Sequence, residues 1–507
     1  MNVKKGVKNI AYSIIGQIIT MVIGIIVPRL VIMSYGSEVN GLLSSVGQVI
    51  TYLSLLEAGV GAAALQSLYK PISNDDRASI NSILAATHHY YRRTGIVYFA
   101  FIVLLSIGYP LVITTTLDYW FVALLIFICG VPNVINYFFQ GKLKILLNAT
   151  GDGYVISNLA TITSCLASGA KVVLLLFGAN VLFVQSIYCV VSLVQMLFIY
   201  IYVRAKYPWI NVKVVPDRSA LTQKNSTLIH QICSLVTNST DVLLLSVFCS
   251  LEVASIYAVY NMIYSIIYNL SYSVNGGLQF IFGNSYCKGT KYYTGVINVY
   301  ETYYLGLCSA LMGITYATIL PFLSIYTAGA DISYIDHWIP VLFTAVELLR
   351  AMRNSSVNTI SVSGRFKETR NHAIIESVIN LSLSLVLVNF IGIYGVLLGT
   401  VIAFAYRNIV AMHYSNVHIL GRNSLFSIKV VALNVVLTAM MMLFFNAFRF
   451  EVSGYLEWVG YASVVTVVTF VMFFVANSIA SPTSFKRLSS YVRRKIARKA
   501  KGNNLEK

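Results

Sequence analysis

The sequence predicts an all-α polytopic membrane protein, and its composition and the length of its apolar runs are the observations that predict it. Of the 507 residues, 57% are hydrophobic and only 11% are charged, and the mean hydropathy is +0.74. A soluble globular domain carries about 25% charged residues. The apolar runs are long and continuous, which favours helices over the alternating strands of a membrane barrel. Composition therefore excludes a soluble protein.

Fourteen apolar segments are long enough to cross a bilayer, whose hydrocarbon core of about 30 Å requires roughly 20 helical residues. The first segment continues through Pro28 and Arg29 without a small-residue cleavage site, so we predict a span there rather than a removable signal peptide. The predicted spans are 10–34, 40–68, 94–113, 119–140, 154–178, 181–203, 225–249, 254–283, 296–321, 338–363, 371–390, 393–412, 425–447 and 455–479.

The distribution of Lys and Arg predicts the topology. With the N-terminus in the cytoplasm, the 36 Lys and Arg residues lie in the predicted cytoplasmic segments or, for Arg407 and Lys429, near the cytoplasmic ends of spans. The exceptions are Arg449 in an outer segment and four residues deeper within spans: Arg29, Lys171, Arg350 and Arg353. This pattern requires an even number of spans with both termini inside. The formal net charge of +18 follows from the inner loops and the basic tail, so it does not indicate nucleic acid as a partner.

An internal repeat divides the spans into two sets of six. At an offset of 213 to 214 residues, YGSEVNGLL (35–43) matches CSLEVASIY (249–257), and Gly151 matches Gly364. An even number of spans separates the copies, so both enter the membrane from the same side, as in parallel transporter repeats. The predicted organisation is an N-terminal six-helix lobe (1–206), a cytoplasmic linker (207–224), a C-terminal six-helix lobe (225–412), two additional transmembrane helices (425–479) and a basic cytoplasmic tail (480–507).

Three charged residues lie in the middle of span ten, within VELLRAMRNSSVNTISVSG (346–364). Glu347, Arg350 and Arg353 follow i, i+3, i+6 spacing, which places them near one helix face at mid-bilayer depth. A charge at that depth costs about 2.5 to 3.5 kcal/mol or more, so these side chains should face the bundle interior or a water-filled cleft between the lobes. A second interpretation is an intrahelical ion pair between Glu347 and Arg350.

Other charged residues also lie within spans of the repeat. Glu57 and Asp241 are candidates for a site that couples transport to a proton or another cation, or for counter-ions of the arginines. Lys171 lies in the outer half of span five, and its long side chain is able to extend to the outer interface. Glu301 and Glu376 lie near inner span ends, where we expect them to reach the interface.

Two segments resemble the half-motifs of a known transporter family. PRLVIMSYGSEVNGLLSSVGQVITYLSLLEAGVG (28–61) and TDVLLLSVFCSLEVASIYAVYNMIYSI (240–266) are similar to those of bacterial polysaccharide-repeat flippases, and IGIYGVLLGTVIA (391–403) is similar to a later family segment. These are the Wzx-type members of the multidrug/oligosaccharidyl-lipid/polysaccharide exporter superfamily. The resemblance covers about residues 1 to 412, and spans thirteen and fourteen match the family's usual extra pair.

The resemblance implies a transporter of the bacterial cytoplasmic membrane that flips undecaprenyl-diphosphate-linked oligosaccharides to the outer leaflet by alternating access, for surface polysaccharide synthesis. Its implied partners are this lipid-linked substrate, membrane lipids and polysaccharide-assembly proteins. It also implies cations that contact the substrate, a role that we carry over to Arg29, Arg350, Arg353 and Lys171. Arginine suits diphosphate because it stays ionised and contacts phosphate oxygens bidentately. We assign Glu57, Asp241 and Glu347 to coupling or to charge balance.

Three other functions are consistent with parts of the sequence. A multidrug exporter of the same superfamily would share the repeat, but we expect its cavity to favour acids for cationic drugs. A membrane polymerase or glycosyltransferase would need a large external loop with catalytic side chains, whereas the outer segments here reach about ten to fifteen residues. A scaffolding protein would have little reason to retain buried charges. The sequence has no nucleotide or zinc-protease motif, and its seven cysteines lack metal-ligand spacing, so we predict neither an enzyme nor a cofactor.

The basic tail has two interpretations. Phe485, Leu488, Val492 and Ile496 recur at helical spacing opposite the cations, which predicts an interfacial helix on the anionic inner leaflet. A disordered tail that only fixes the topology is the alternative.

Overall fold

The computed structural model describes residues 24–53, 60–217, 232–233, 235–448, 450 and 452–491, and this part of the chain is helical without strands. The helices are α1 (Gly24–Tyr35), α2 (Ser37–Leu53), α3 (Val60–Ser73), α4 (Arg77–Gly108), α5 (Tyr119–Ile135), α6 (Gly141–Ala149), α7 (Gly153–Leu176), α8 (Val181–Lys206), α9 (Asp241–Phe248), α10 (Leu251–Cys287), α11 (Thr290–Tyr326), α12 (Ile339–Val362), α13 (Phe366–Tyr414), α14 (Leu425–Ala447) and α15 (Tyr455–Ala480). The prediction of an all-α polytopic membrane protein is confirmed.

Most helices follow the predicted spans, but α4 begins at Arg77, well before the predicted span 94–113. Within the described residues, nine helices are long and apolar enough to cross a membrane. One of the nine covers both span eleven and span twelve. Within it, α13 leaves helical geometry at Ile391 and Gly392, where the two predicted spans meet. Helix α12 is not among the nine, since every window of span length in it contains Glu347, Arg350 and Arg353.

Matched positions of the repeat have matching backbone geometry. Gly151 and Gly364 have φ angles of +80° and +70°, in the left-handed region that glycine adopts without steric cost. Each lies two positions after the end of a helix, α6 and α12 respectively, and two positions before the start of the next helix. A glycine in this conformation is a common helix terminator. The shared geometry supports the register of the predicted repeat.

The chain forms two compact units. One extends to Val259 and also includes Gly329–Ile332; the other contains Tyr260–Ala328 and the chain from Ser333 onward. Helix α9, which lies within span seven, belongs to the first unit. The lobe boundaries predicted from the repeat remain a prediction.

In the first unit the two copies of the repeated motif pack against each other. Asn40 donates a hydrogen bond from Nδ2 to Ser255 Oγ at 2.8 Å, and both side chains are buried. Gly41 lies so close to the start of α10 that a methyl group on its Cα would overlap the carbonyl oxygen of Leu251. Glycine therefore permits the close crossing of α2 and α10.

We expect Gly41→Ala to lower the amount of folded protein, because backbone must shift to accept the methyl group. Overpacking of this kind costs about 1 to 3 kcal/mol or more. Gly47→Ala is the matched control, since it lies in the same helix with no atom near the added methyl group, and alanine is the better helix former. Thermal unfolding of the two purified variants should show a lower Tm for Gly41→Ala only. Equal Tm values would contradict the close crossing.

In the second unit, α11 packs against α12, α14 and α15. Asn434 of α14 and Asn477 of α15 form a reciprocal pair of amide hydrogen bonds, each at 3.0 Å, and both are buried. Gly306 of α11 leaves room for the Asn477 amide. The two additional helices are thus held to α11 and to each other by a buried polar pair in otherwise apolar surroundings.

The described start of the basic tail is helical over 482–491. Ser484 is buried and accepts a hydrogen bond from Thr302 at 3.3 Å, and the guanidinium of Arg487 lies against Gly295 of α11. This segment therefore packs on the second unit. Val492 and Ile496, on which the prediction of an interfacial helix also depends, lie outside the described residues.

A carboxylate in the first unit joins the segment between α11 and α12 to the start of α2. Asp331 accepts hydrogen bonds from the backbone N–H of Ser37, at 2.8 Å, and from the Ser37 hydroxyl. Partial burial raises the pKa of Asp331, but the hydrogen bonds from Ser37 outweigh it and leave this pKa below its ordinary value.

We expect Asp331→Asn to lower the Tm at pH 7, and we expect this difference to shrink as the solution is acidified. The ionised carboxylate stabilises the fold above the unfolded-state pKa of about 3.9, and this contribution disappears as the pH falls through the lower folded-state pKa. Melting curves of wild type and variant between pH 3 and pH 8 would measure the difference. Glu368→Gln, which changes an exposed carboxylate, is the control. A Tm difference that persists in acid would contradict this role of Asp331.

Candidate functional site

Glu347 and Arg350 of α12 form an ion pair within the helix. Arg350 Nη1 lies 3.0 Å from Glu347 Oε1, and the side chains are 17% and 1% exposed, respectively. Within the described residues, the second carboxylate oxygen of Glu347 and Nε of Arg350 have no hydrogen-bond partner. The pair therefore balances charge while it leaves hydrogen-bonding capacity on both sides.

A second group of charges joins α12 to α13. Glu376 lies between two guanidiniums, with Arg353 Nη1 2.5 Å from Oε1 and Arg407 Nε 3.6 Å from Oε2. Arg407 is buried, and its Nη1 also donates to the carbonyl oxygen of Thr369 at 3.1 Å. Arg353 is more accessible, with 22% of its side chain exposed. Arg407 thus lies on the buried side of the cluster, whereas Arg353 lies on its more accessible side.

Aromatic rings support both accessible arginines. The guanidinium of Arg350 lies 5.0 Å from the ring centroid of Tyr268 and 5.6 Å from that of Phe404. Arg353 lies 5.1 Å from the Phe404 centroid. Cation–π contacts of this kind attract a cation without neutralising its charge. Phe404 therefore places the two guanidiniums near each other.

The cluster is suited to binding an anion. Its three guanidiniums and two carboxylates leave a formal excess of one positive charge. The carboxylates are the more deeply buried partners, and Arg350 and Arg353 are the more accessible ones. A ligand that approaches from the accessible side would meet cations first. Arginine presents planar donors that match phosphate or carboxylate oxygens.

The predicted site residues of the first unit lie in three separate surroundings. Lys171 donates from Nζ to Gln185 Oε1 at 2.8 Å and lies 5.6 Å from the ring centroid of Tyr188. Arg29 is half-buried in α1. Asp241 is buried at the start of α9, where the Tyr257 hydroxyl donates to its Oδ2 at 2.6 Å.

Glu57 lies outside the described residues. The structure therefore brings together Glu347, Arg350 and Arg353 of the predicted site residues, while the roles assigned to Arg29, Glu57, Lys171 and Asp241 stay predictions.

Sequence reasoning missed several members of the cluster. Glu376 and Glu301 were expected to reach the membrane interface, yet both are buried in ion pairs: Glu376 as described, and Glu301 with Arg422 at 3.2 Å. Arg407 was expected near the cytoplasmic end of span twelve, but it is buried beside Glu376. The signals available in the sequence were an acid within one predicted span and a cation near the end of another.

Solved structures of other proteins share the fold of this chain. No family model matches the sequence, and no curated protein sequence matches it. The fold is similar to the lipid II flippase MurJ in an inward closed conformation, with a TM-score of 0.69 and 13% identity over 93% of this chain and 99% of that one. The chain has the fold of membrane transporters. Two structures of a multidrug resistance MATE family transporter of the MOP superfamily also share this transporter fold. The inward-facing structure has a TM-score of 0.60 and 13% identity over 80% of this chain and 98% of that one. The outward-facing structure has a TM-score of 0.54 and 15% identity over 81% of this chain and 95% of that one.

At this identity the transporter fold is what the likeness establishes. The fold places the charged cluster of α12 and α13 in the second unit of a transporter-like chain. The neighbours are named as transporters and a flippase, not as enzymes.

Proposed function

We infer that this protein flips lipid-linked oligosaccharides, with a polyprenyl diphosphate as the lipid carrier, across the bacterial cytoplasmic membrane. The observation that carries this proposal is the arrangement of charges on α12 and α13, in which accessible Arg350 and Arg353 lie over more deeply buried Glu347 and Glu376. The MurJ-like fold supports it, since that neighbour is named as a lipid II flippase. Surface polysaccharide synthesis is the proposed context, with assembly proteins as partners.

The diphosphate is the part of such a substrate that most needs protein ligands. It carries its negative charge through a low-dielectric region, where an uncompensated charge is costly. Arg350 and Arg353 would each offer guanidinium donors while Tyr268 and Phe404 hold their planes. Arg29 and Lys171 are proposed as further cations along the transport route.

The acids have a different proposed role. Glu347 keeps Arg350 in place when no substrate is bound, because the ion pair satisfies the guanidinium in the apo protein. Asp241 and Glu57 are proposed as coupling or counter-ion residues. Asp241 already accepts a hydrogen bond from Tyr257, so a change in its protonation would alter a contact between α9 and α10.

A cation-coupled multidrug exporter is the second candidate, favoured by the shared fold with the MATE transporters. Such a protein would have to present a carboxylate to a cationic drug. In the cluster of α12 and α13, however, the carboxylates are the buried partners. The charge arrangement favours an anionic substrate over a cationic one.

Translocation in proteoliposomes distinguishes the two candidates. The purified full chain would be reconstituted with a fluorescent polyprenyl-diphosphate oligosaccharide, and label in the outer leaflet would be removed by a membrane-impermeant quencher or glycosidase. We expect faster equilibration than in protein-free vesicles and none for a neutral glycolipid of the same chain length. Transport of a cationic dye with no movement of the diphosphate lipid would favour the multidrug candidate.

A further inference from the structure

A pocket of about 240 Å³ lies in the first unit, separate from the residues discussed so far. It is formed by the segment between α5 and α6, by α6, by the C-terminal part of α8 and by the chain that follows α8. Its lining includes Phe139, Lys142, Met196, Leu197, Tyr200 and Arg204. By the predicted topology this is the cytoplasmic end of the spans.

Two cations lie in this otherwise apolar lining. Lys142 is half-buried, and its Nζ lies 3.0 Å from Nδ1 of His88. Arg204 is exposed, and within the described residues it has no carboxylate partner. A lysine anchored by a neutral acceptor and an arginine without an ion pair leave two positive charges uncompensated at the pocket. The pocket is therefore complementary to an anionic group.

The rest of the lining is complementary to hydrocarbon. Phe139, Leu197 and Tyr200 are each more than half exposed, so this side of the pocket faces the surroundings of the helices rather than the protein core. For membrane-spanning helices those surroundings are lipid. Tyrosine is common at the headgroup level, where its ring is apolar and its hydroxyl is wet. The pocket thus combines phosphate-binding cations with an apolar wall at the depth where a lipid headgroup lies.

We propose that this pocket binds an anionic glycerophospholipid of the cytoplasmic leaflet, with the lipid phosphate at Lys142 and Arg204 and an acyl chain along Met196 and Leu197. Basic pockets between helices on the cytoplasmic side are a recognised form of headgroup site. The site shares no residue with the proposed substrate site, and this inference does not depend on the proposed function. The lipid is a bound regulator or stabiliser of the first unit, not a transported substrate.

The test uses the purified, delipidated full chain in neutral detergent with dioleoylphosphatidylglycerol, or with dioleoylphosphatidylcholine as the zwitterionic lipid of the same chains. Native mass spectrometry would count bound lipids, and thermal unfolding would report stabilisation. We expect the anionic lipid to bind at least about tenfold more tightly and to raise the Tm, because two cations of the pocket would contact its phosphate. Equal effects of the two lipids would overturn the proposal.

Variants locate the site. Arg204→Gln and the double change Lys142→Gln with Arg204→Gln should reduce the preference for the anionic lipid stepwise. The double change Lys288→Gln with Lys291→Gln removes the same charge from exposed positions in the second unit, so it should retain the preference. The single Arg204→Gln variant guards against misfolding, because it disturbs no ion pair.

Leu197→Trp tests the apolar wall, since it adds bulk at an exposed lining position and should displace the acyl chain while the cations remain. Glycerol phosphate distinguishes a lipid from a soluble phosphate: it should give no Tm rise at concentrations at which the lipid saturates. A lipid site would be refuted if the Lys288→Gln, Lys291→Gln variant lost the preference for the anionic lipid as fully as the Lys142→Gln, Arg204→Gln variant does. It would also be refuted if glycerol phosphate raised the Tm as much as the lipid does.

Discussion

We expect the double variant Glu347→Gln with Arg350→Gln to accumulate as folded membrane protein and to lose translocation of the diphosphate lipid. The ion pair is nearly inaccessible on its acidic side, so loss of one partner leaves a buried charge without compensation. Breaking a buried pair in this way costs about 3 to 5 kcal/mol, whereas removal of both charges avoids the penalty. The double variant therefore separates the fold from the proposed transport role.

The single variants should differ from each other in abundance. Arg350→Gln leaves Glu347 buried beside a neutral partner, and we expect a marked loss of folded protein. Glu347→Gln leaves Arg350 partly accessible and in contact with Tyr268 and Phe404, so we expect a milder loss. Arg350→Lys should retain abundance and partial transport, because it keeps the charge but not the planar donors.

The size of the transport defect follows from the strength of charge-assisted hydrogen bonds. Such a bond contributes about 1.5 to 3 kcal/mol, so loss of the Arg350 contact should slow translocation about 10- to 100-fold. Monodisperse protein after solubilisation measures abundance, and the proteoliposome assay measures transport per folded molecule. Full transport by the double variant would show that Arg350 serves only its neighbour Glu347.

Much of the fold is readable from local sequence. Apolar run length places most helices to within a few residues, but α4 begins at Arg77, well before the predicted span 94–113. The division of α13 at Ile391 and Gly392 falls between two predicted spans. The repeat register correctly pairs Gly151 with Gly364, because a backbone conformation with positive φ restricts the residue type. These features depend on local interactions and on the bilayer, and both leave a direct trace in the sequence.

Only part of the charged cluster can be predicted from the sequence. Helical spacing brings Glu347, Arg350 and Arg353 to one region of α12, and the pair within the helix was one of two interpretations of them. Glu376 and Arg407 come from a different helix, and their meeting with Arg353 depends on how α12 and α13 pack. Spacing along the chain determines which residues are neighbours on one helix, but it does not determine which other helix packs against them. A single sequence does not contain that information.

The largest contrast that the cluster predicts is between Glu376→Gln and Arg353→Gln. Glu376 serves two guanidiniums, one of them the buried Arg407, so Glu376→Gln should leave two cations uncompensated and lower folded protein strongly. Arg353→Gln leaves Glu376 paired with Arg407, so folded protein should remain near the wild-type amount. Translocation per folded molecule should nevertheless fall about 10-fold or more, because an accessible phosphate donor is lost.

The compensating change Glu376→Gln with Arg407→Gln completes this test. It removes the buried carboxylate and its buried partner together and leaves only Arg353, which is partly exposed and lies beside Phe404. We expect this double variant to recover folded protein and to retain translocation, in contrast to Arg353→Gln. Abundance and transport would be measured for all three variants in membranes prepared in parallel under the same conditions. If Arg353→Gln transports normally, or if the double variant folds but does not transport, then Arg353 is not the anion ligand, and the cluster serves to join α12 to α13.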